Sequence, residues 1–263
     1  MDLARDSKGR EIPILAFHKI DGRFEWGVTR LPPAGFRRVL AFLKREGYQT
    51  VPLAALCDPA AVLPRRPVVI TFDDSYESLY GNALPLLEEF GFSATVFVVT
   101  GYVGMLNAWD VNLGWITFRH LSWSQLEAFR KASFEIESHT VHHPDLTRMD
   151  DAKLHSELAD SKKAIEDRTG RRVRFVSFPF GRYNGRVLDA MQKCGYERGA
   201  GFQLRRPGDK SLVFQRRAYY LFDGIWNLKA KLGRNALTFL EDVKLRGINF
   251  CSRGTALVKP HRE

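Results

Sequence analysis

Short solid runs of apolar β-formers recur along this chain, and between them the apolar positions fall into a helical rhythm. The runs cover residues 12–17, 48–53, 68–72, 93–100, 134–137, 173–178 and 214–221. Runs with little polar alternation are what strands covered on both faces require. Residues 33–46 read as a helix, with Phe36, Val39, Leu40 and Leu43 on one face and Arg37, Arg38, Lys44 and Arg45 on the other. Gly47 stops it, and Gly91 closes a second helix over 80–90. Ser122 or Ser124 caps a third, which carries Leu126 and Phe129. Further helices are predicted over 150–170, 185–193 and 228–245, the last with a basic face, and residues 101–118 are irregular. Strands alternating with helices at this spacing predict parallel βα units, hence the α/β class. No internal repeat, low-complexity tract or linker divides the chain, so one domain is expected over 1–263.

The polar groups able to do chemistry fall just after strands: His18, Asp73-Asp74, His139 to His143, and Pro179 to Gly181. That is the C-terminal rim, where α/β barrels hold their sites. Val68-Val69-Ile70-Thr71-Phe72 ends abruptly in Asp73-Asp74, and two adjacent carboxylates at a buried strand end call for a compensating charge. Ser138-His139-Thr140-Val141-His142-His143-Pro144 supplies partners for a cation. Two imidazoles and one carboxylate form a facial set with open positions, suited to a catalytic divalent ion. The other aspartate is then free to act as a base on water made more acidic by the ion. The spacing leaves HxxH through His142 and HxxxH through His143 both open. Pro144 disfavours a helix at His143, which puts the pair in a strand-end turn.

With 44% hydrophobic and 27% charged residues, the composition is that of a globular protein with a real core. A net charge of +10 and a pI near 9.6 point to peripheral contact with an anionic surface. No nucleic-acid motif accompanies that charge, and no nucleic-acid partner is expected. Cys57, Cys194 and Cys251 are far apart and form neither a disulfide framework nor a metal pair. The first residues are polar and no run reaches membrane-spanning length, which reads as cytoplasmic, although a trimmed chain with an added Met would look the same.

With TFDD (71–74), SHTVHHP (138–144) and FPFGRYN (178–184) in this order, the chain resembles the polysaccharide deacetylases, carbohydrate esterase family four, over residues 14–222. The resemblance implies a distorted, incomplete (β/α) barrel of mostly parallel strands with a core over about 12–222. Residues 223–263 become a helical extension. It implies removal of N- or O-acetyl groups from an acetylated polysaccharide with a divalent metal ion, zinc first, with nickel, cobalt and iron as alternatives. Asp73 is then similar to the general base, and Asp74, His139 and His143 to the metal ligands, which favours His143 over His142. Pro179, Phe180 and Gly181 are similar to the segment lining the substrate groove, with the Phe180 amide as oxyanion donor. Asn107-Ala108-Trp109-Asp110 resembles a groove segment in which Trp109 stacks on a sugar and Asp110 binds a hydroxyl. Alternatively, Trp109 anchors a long loop.

Two departures stand out. Many members hold the catalytic aspartate with an arginine two residues before the third motif's proline, where this chain has Ser177. Arg217 is a candidate to supply the charge instead, although a solvated arginine is the default reading. Many members also take their acid from a late Leu-x-His, and the only histidine after His155 here is His261. Ile14-Leu15-Ala16-Phe17-His18 resembles the N-terminal strand and histidine of the biofilm poly-N-acetylglucosamine deacetylases, which implies His18 as the acid. His120 is a possible substitute. The expected activity is hydrolysis of N-acetyl groups on an N-acetylglucosamine-containing polymer that would be extracytoplasmic. The rivals are an O-acetyl esterase, a non-catalytic sugar-binding protein on the same barrel, and a nucleic-acid- or membrane-binding protein driven by the +10 charge, and the oligomeric state stays open.

Overall fold

The computed structural model describes residues 11–25, 27–107, 117–202, 212–233 and 244. Eight strands form the main path of a nine-stranded sheet: β1 (Ile14–Phe17), β2 (Pro67–Phe72), β3 (Thr95–Val98), β4 (Glu135–Ser138), β5 (Phe175–Ser177), β6 (Arg198–Gly201), β7 (Val213–Gln215) and β8 (Arg217–Ala218). Their order is β7-β6-β5-β4-β3-β2-β1-β8, with every pairing parallel. The sheet curls into a barrel that is nearly closed, with one seam. The two edges at that seam, β7 and β8, are consecutive in the chain and separated by Arg216 alone. The run 214–221, read as one strand, is therefore two strands on opposite edges. Its backbone leaves β6 through Arg216 N–H to Gly201 O (3.0 Å) and joins β1 through Tyr219 N–H to Ala16 O (2.8 Å).

The solid apolar runs are explained by a sheet that is buried twice. Ile14, Val69, Phe97, Phe175, Ala200 and Phe214 fill the barrel interior with Leu53 and Leu56. Alternate residues, Leu15, Phe17, Val68, Ile70, Phe72, Val96 and Val98, pack outward with Phe36, Leu40, Leu87, Phe129, Leu158 and Met191. Those outer residues belong to α1 (Pro33–Arg45), α2 (Leu84–Phe90), α3 (Trp123–Lys131), α4 (Asp151–Thr169) and α5 (Gly185–Lys193). Of the strand read over 48–53, only Gln49–Thr50 pairs, at the start of β2. Leu53–Cys57 instead winds into a 3₁₀ turn that plugs the N-terminal end of the barrel.

Helix boundaries follow local chemistry. Ser122 caps α3: its Oγ accepts from Gln125 N, and the Gln125 side chain accepts from Ser122 N (2.8 Å). The helix read over 80–90 begins as a π-type turn, Leu79–Ala83, because Pro85 has no N–H for the preceding turn. The helix read over 228–245 starts earlier, as α6 (Ile225–Leu232), and ends at Gly233; residues 234–245 lie outside the described residues apart from Lys244. No helix among the described residues is long and apolar enough to cross a membrane.

Candidate metal centre at the C-terminal rim

Beyond the end of β2 the backbone turns sharply. Asp73 N–H bonds to Phe17 O (2.9 Å), and Asp74 and Ser75 then take left-handed conformations at φ +65° and +51°. Beyond β4, Thr140 and His143 do the same at φ +67° and +58°. Non-glycine residues there carry strain, and several around one point indicate a surrounding structure that holds them for a purpose.

The His-rich turn is fixed from two sides. Thr140 Oγ1 accepts from His143 N (3.0 Å), and Glu157, reaching up from α4, accepts from Val141 N and His142 N (2.9 Å each). The same carboxylate binds His142 Nδ1 (2.7 Å), which leaves the His142 side chain largely exposed and turned from the rim cluster. His139 and His143 remain inside. His139 Nδ1 donates to Ser177 O (2.9 Å), which directs the Nε2 lone pair toward the cluster. The two imidazoles meet edge to face, centroids 4.8 Å apart.

Asp74 completes the group. Its Oδ1 lies 3.3 Å from His139 Nε2 and 3.4 Å from His143 Nε2, and is buried without a hydrogen bond. Two ligands each about 2.1 Å from a tetrahedral ion stand about 3.4 Å apart, so these separations fit a bound divalent cation. Burial alone would raise the Asp74 pKa. The His139 contact and the charges of His143 and His18 outweigh it and hold the carboxyl far below its usual range. Burial likewise works against a charged His139, but Asp73 and Asp74 pull its pKa up.

Asp73 faces a different partner. The Arg216 guanidinium grips it in two parallel bonds, Nη1 to Oδ1 (2.7 Å) and Nη2 to Oδ2 (2.8 Å). Nη2 also donates to Ser177 Oγ (2.7 Å), and that hydroxyl donates to Asp73 Oδ2 (3.2 Å). Arg216 is fully buried, with its plane near Phe97 and Phe202. Burial pushes Asp73 up, but Arg216 and His139 outweigh it and the carboxyl stays below its usual range.

Arg217, the candidate to supply this charge, does not. It donates instead to Ala230 O (3.1 Å) and Lys231 O (2.9 Å) at the end of α6. The reason is parity: Phe214 points into the barrel, so Arg216 does too, and Arg217 points out toward the helices. The missing arginine beside Pro179 is thus replaced from the seam, and Ser177 leaves room for it.

His18, directly after β1, is half-buried, with its Nδ1 buried and unbonded and its ring stacked 6.4 Å from Phe202. Burial lowers its pKa, and the nearby charges of Asp74 and Asp73 pull it partly back. Pro179, Phe180 and Gly181 form a 3₁₀ turn beside the cluster. Phe180 stands at φ +58° with its ring 4.8 Å from His143, and Gly181, at φ +64°, leaves no room for a Cβ against Phe202. His120 contacts the backbone carbonyl of Asp74 rather than its carboxylate. Trp109 and Asp110 lie outside the described residues.

The described residues thus form a nearly closed parallel barrel with an Asp/His/His donor set and a clamped second carboxylate on its C-terminal rim. Residues 61–199 match the polysaccharide deacetylase family model, and the chain belongs to that family. YxkH of Bacillus subtilis (strain 168), itself named for the polysaccharide deacetylases, is 31% identical over 74% of this chain and 66% of its own length. The poly-beta-1,6-N-acetyl-D-glucosamine N-deacetylase of Staphylococcus aureus (strain MRSA252) is 29% identical over 60% of this chain and 53% of its own. The chain thus spans about half to two thirds of the curated relatives it matches. The Streptococcus pyogenes deacetylase PplD, solved with acetate, shares the fold with a TM-score of 0.71 at 24% identity, over 84% of this chain and 98% of that one.

Proposed function

We propose that this chain hydrolyses N-acetyl groups on an N-acetylglucosamine-containing polymer, with a divalent ion held by Asp74, His139 and His143. The observation that carries the reading is the division within one Asp-Asp pair. Asp74 turns a bond-free oxygen to two imidazole nitrogens, while Asp73 is held outside that triad by Arg216. The match to a poly-beta-1,6-N-acetyl-D-glucosamine N-deacetylase supports the choice of polymer. The two-nitrogen, one-oxygen set suits zinc first, with nickel, cobalt and iron as alternatives.

When bound, the ion polarises the acetyl carbonyl and acidifies a water, which lets a weak carboxylate base suffice. Asp73 is ionised at neutral pH because Arg216 holds its pKa down, and it takes the proton of the attacking water. Arg216 and Ser177 fix the direction of the carboxylate. The water oxygen bonds to the acetyl carbon and the Phe180 amide donates to the developing oxyanion. As the C–N bond breaks, the proton that Asp73 took from water passes through His18 to the departing amine, which leaves both side chains as they began. The products are acetate and a free glucosamine amine.

The test is acetate release from a β-1,6-linked N-acetylglucosamine oligomer by the zinc-loaded protein. Asp73→Asn should lower the rate by about 10³-fold, within the range for loss of a general base, while zinc content stays at the wild-type level. Acetate release by this variant at the wild-type rate would remove Asp73 from the role.

A further inference from the structure

The chemistry proposed above uses His18, His139 and His143, and Glu157 accounts for His142. His120 is fully buried and has no part in that scheme. Its Nδ1 lies 2.6 Å from the carbonyl oxygen of Asp74, and because a carbonyl only accepts, Nδ1 carries the proton. The ring is held flat against Tyr76, centroids 4.9 Å apart at 24°, with Tyr102 at 5.8 Å. Asn107 Nδ2 in turn holds the Tyr76 hydroxyl (2.6 Å).

The backbone around His120 grips the same turn. Leu121 N–H bonds to Ser75 O (2.8 Å), Glu77 N–H to Arg119 O (2.8 Å), and His120 N–H to Met105 O (2.9 Å). Two successive carbonyls, those of Asp74 and Ser75, therefore receive donors from residues 120 and 121. These are the two residues that leave β2 in left-handed conformations, which are strained for a side chain other than glycine. A peptide plane in that region keeps its direction only while its carbonyl is bonded, and a buried carbonyl without a donor is costly. The Asp74 carbonyl belongs to the peptide that links the two left-handed residues, so holding it fixes the backbone from which the Asp74 side chain projects.

We infer that His120 is a positioning residue, whose Nδ1–H bond to the Asp74 carbonyl locks the left-handed turn that aims Asp74 at His139 and His143. A phenylalanine or tyrosine would stack on Tyr76 equally well. What imidazole adds is a donor at the δ position, and asparagine, with its amide on the same Cγ, is the side chain that reproduces it. Glutamine carries its amide one carbon further out and does not. The inference rests on the proposed ion site, so its experiment separates the two.

Zinc affinity of the full chain is measured by competition with a chelating dye, together with kcat and KM on the acetylated oligomer. His120→Gln and His120→Phe should each weaken zinc binding by about 10–100-fold, the range for a lost supporting partner, and lower kcat with KM little changed. His120→Asn should recover most of both. Wild-type affinity and kcat in His120→Gln or His120→Phe would overturn the inference, whatever the melting temperature did. A His120→Asn variant as impaired as His120→Gln would overturn it too, since the δ donor would then not be the cause. Should His120→Phe fail to fold, the Asn and Gln pair decides alone. A wild-type affinity unchanged by His139→Ala would instead count against the ion site and leave the His120 comparison to be read from kcat.

Discussion

The barrel holds a pair of carboxylates at each end, Glu137 buried and Glu135 half-buried at one and Asp73 and Asp74 buried at the other, and the two pairs are treated oppositely. At the floor, Glu135 accepts from Leu53 N (2.7 Å), Ala54 N (3.0 Å) and the Thr95 hydroxyl, and Glu137 accepts from Arg174 N (2.9 Å) and Phe175 N (2.7 Å). Those carboxylates are tied up by backbone amides, and they hold the plug and the start of β5. At the rim, Asp73 meets a guanidinium and Asp74 leaves an oxygen unbonded against two imidazoles. A buried carboxylate sated by main-chain amides is a structural staple, whereas one that faces ionisable side chains or an unbonded gap is available for chemistry.

Cutting the rim pair should have the largest effect on stability. Arg216→Met leaves Asp73 buried without a counter-charge and should cost about 3–5 kcal/mol in urea denaturation. Adding Asp73→Asn to that variant should return most of the loss, because no charge then remains to be compensated. A single-variant loss below about 1 kcal/mol would mean that the clamp is not what keeps Asp73 charged.

The floor is sharpened by Glu135→Ala, which strips the acceptor from Leu53 N and Ala54 N. It should cost about 2–3 kcal/mol while acetate release per folded molecule stays at the wild-type level. A fall in turnover without loss of stability would erase the distinction between the two ends.

The smallest effect comes from Glu137→Gln and depends on pH. Burial raises the Glu137 pKa well above its usual range, with the Glu135 charge adding to it and the Phe175 and Arg174 amides opposing. A raised pKa in the fold means that the group's stability contribution is present below its unfolded pKa of about 4.3 and is lost as pH climbs to the folded value. The stability difference between Glu137→Gln and wild type, followed by thermal melts, should therefore move in the variant's favour above pH 4.5, by about 1–2 kcal/mol. A difference flat across that range would place the Glu137 pKa near normal.

How much of this the sequence discloses depends on what sets each feature. The strands and their rim residues are legible because apolar runs ending in Asp, His or Pro-Phe-Gly are local signals. The floor is less so: Glu135-Ile136-Glu137 alternates like a strand with its acids in water, yet here the acids face the barrel interior and Ile136 faces the helices. Local spacing cannot choose between His142 and His143, because the choice is made by Glu157, on the following helix. Arg217 in place of Arg216 is an error of one residue, which in a strand means the opposite face. Counting from Phe214, an interior residue by its apolar neighbours, would have put Arg216 inward. The split of 214–221 into two strands is set by barrel closure, to which no single segment testifies.

Arg216 is also where the chain steps from one edge of the barrel to the other, 143 residues after the aspartate it holds. Among the sheet strands described here, β7 and β8 come last in the chain, so a nascent chain that has folded everything before them still has an open sheet and a bare Asp73. Bonding the Asp73 carboxylate therefore coincides with shutting the ring. Such long-range closure is the slow part of forming a sheet of this kind. On the mechanism proposed above, the site therefore gains an ordered base only once its fold is complete.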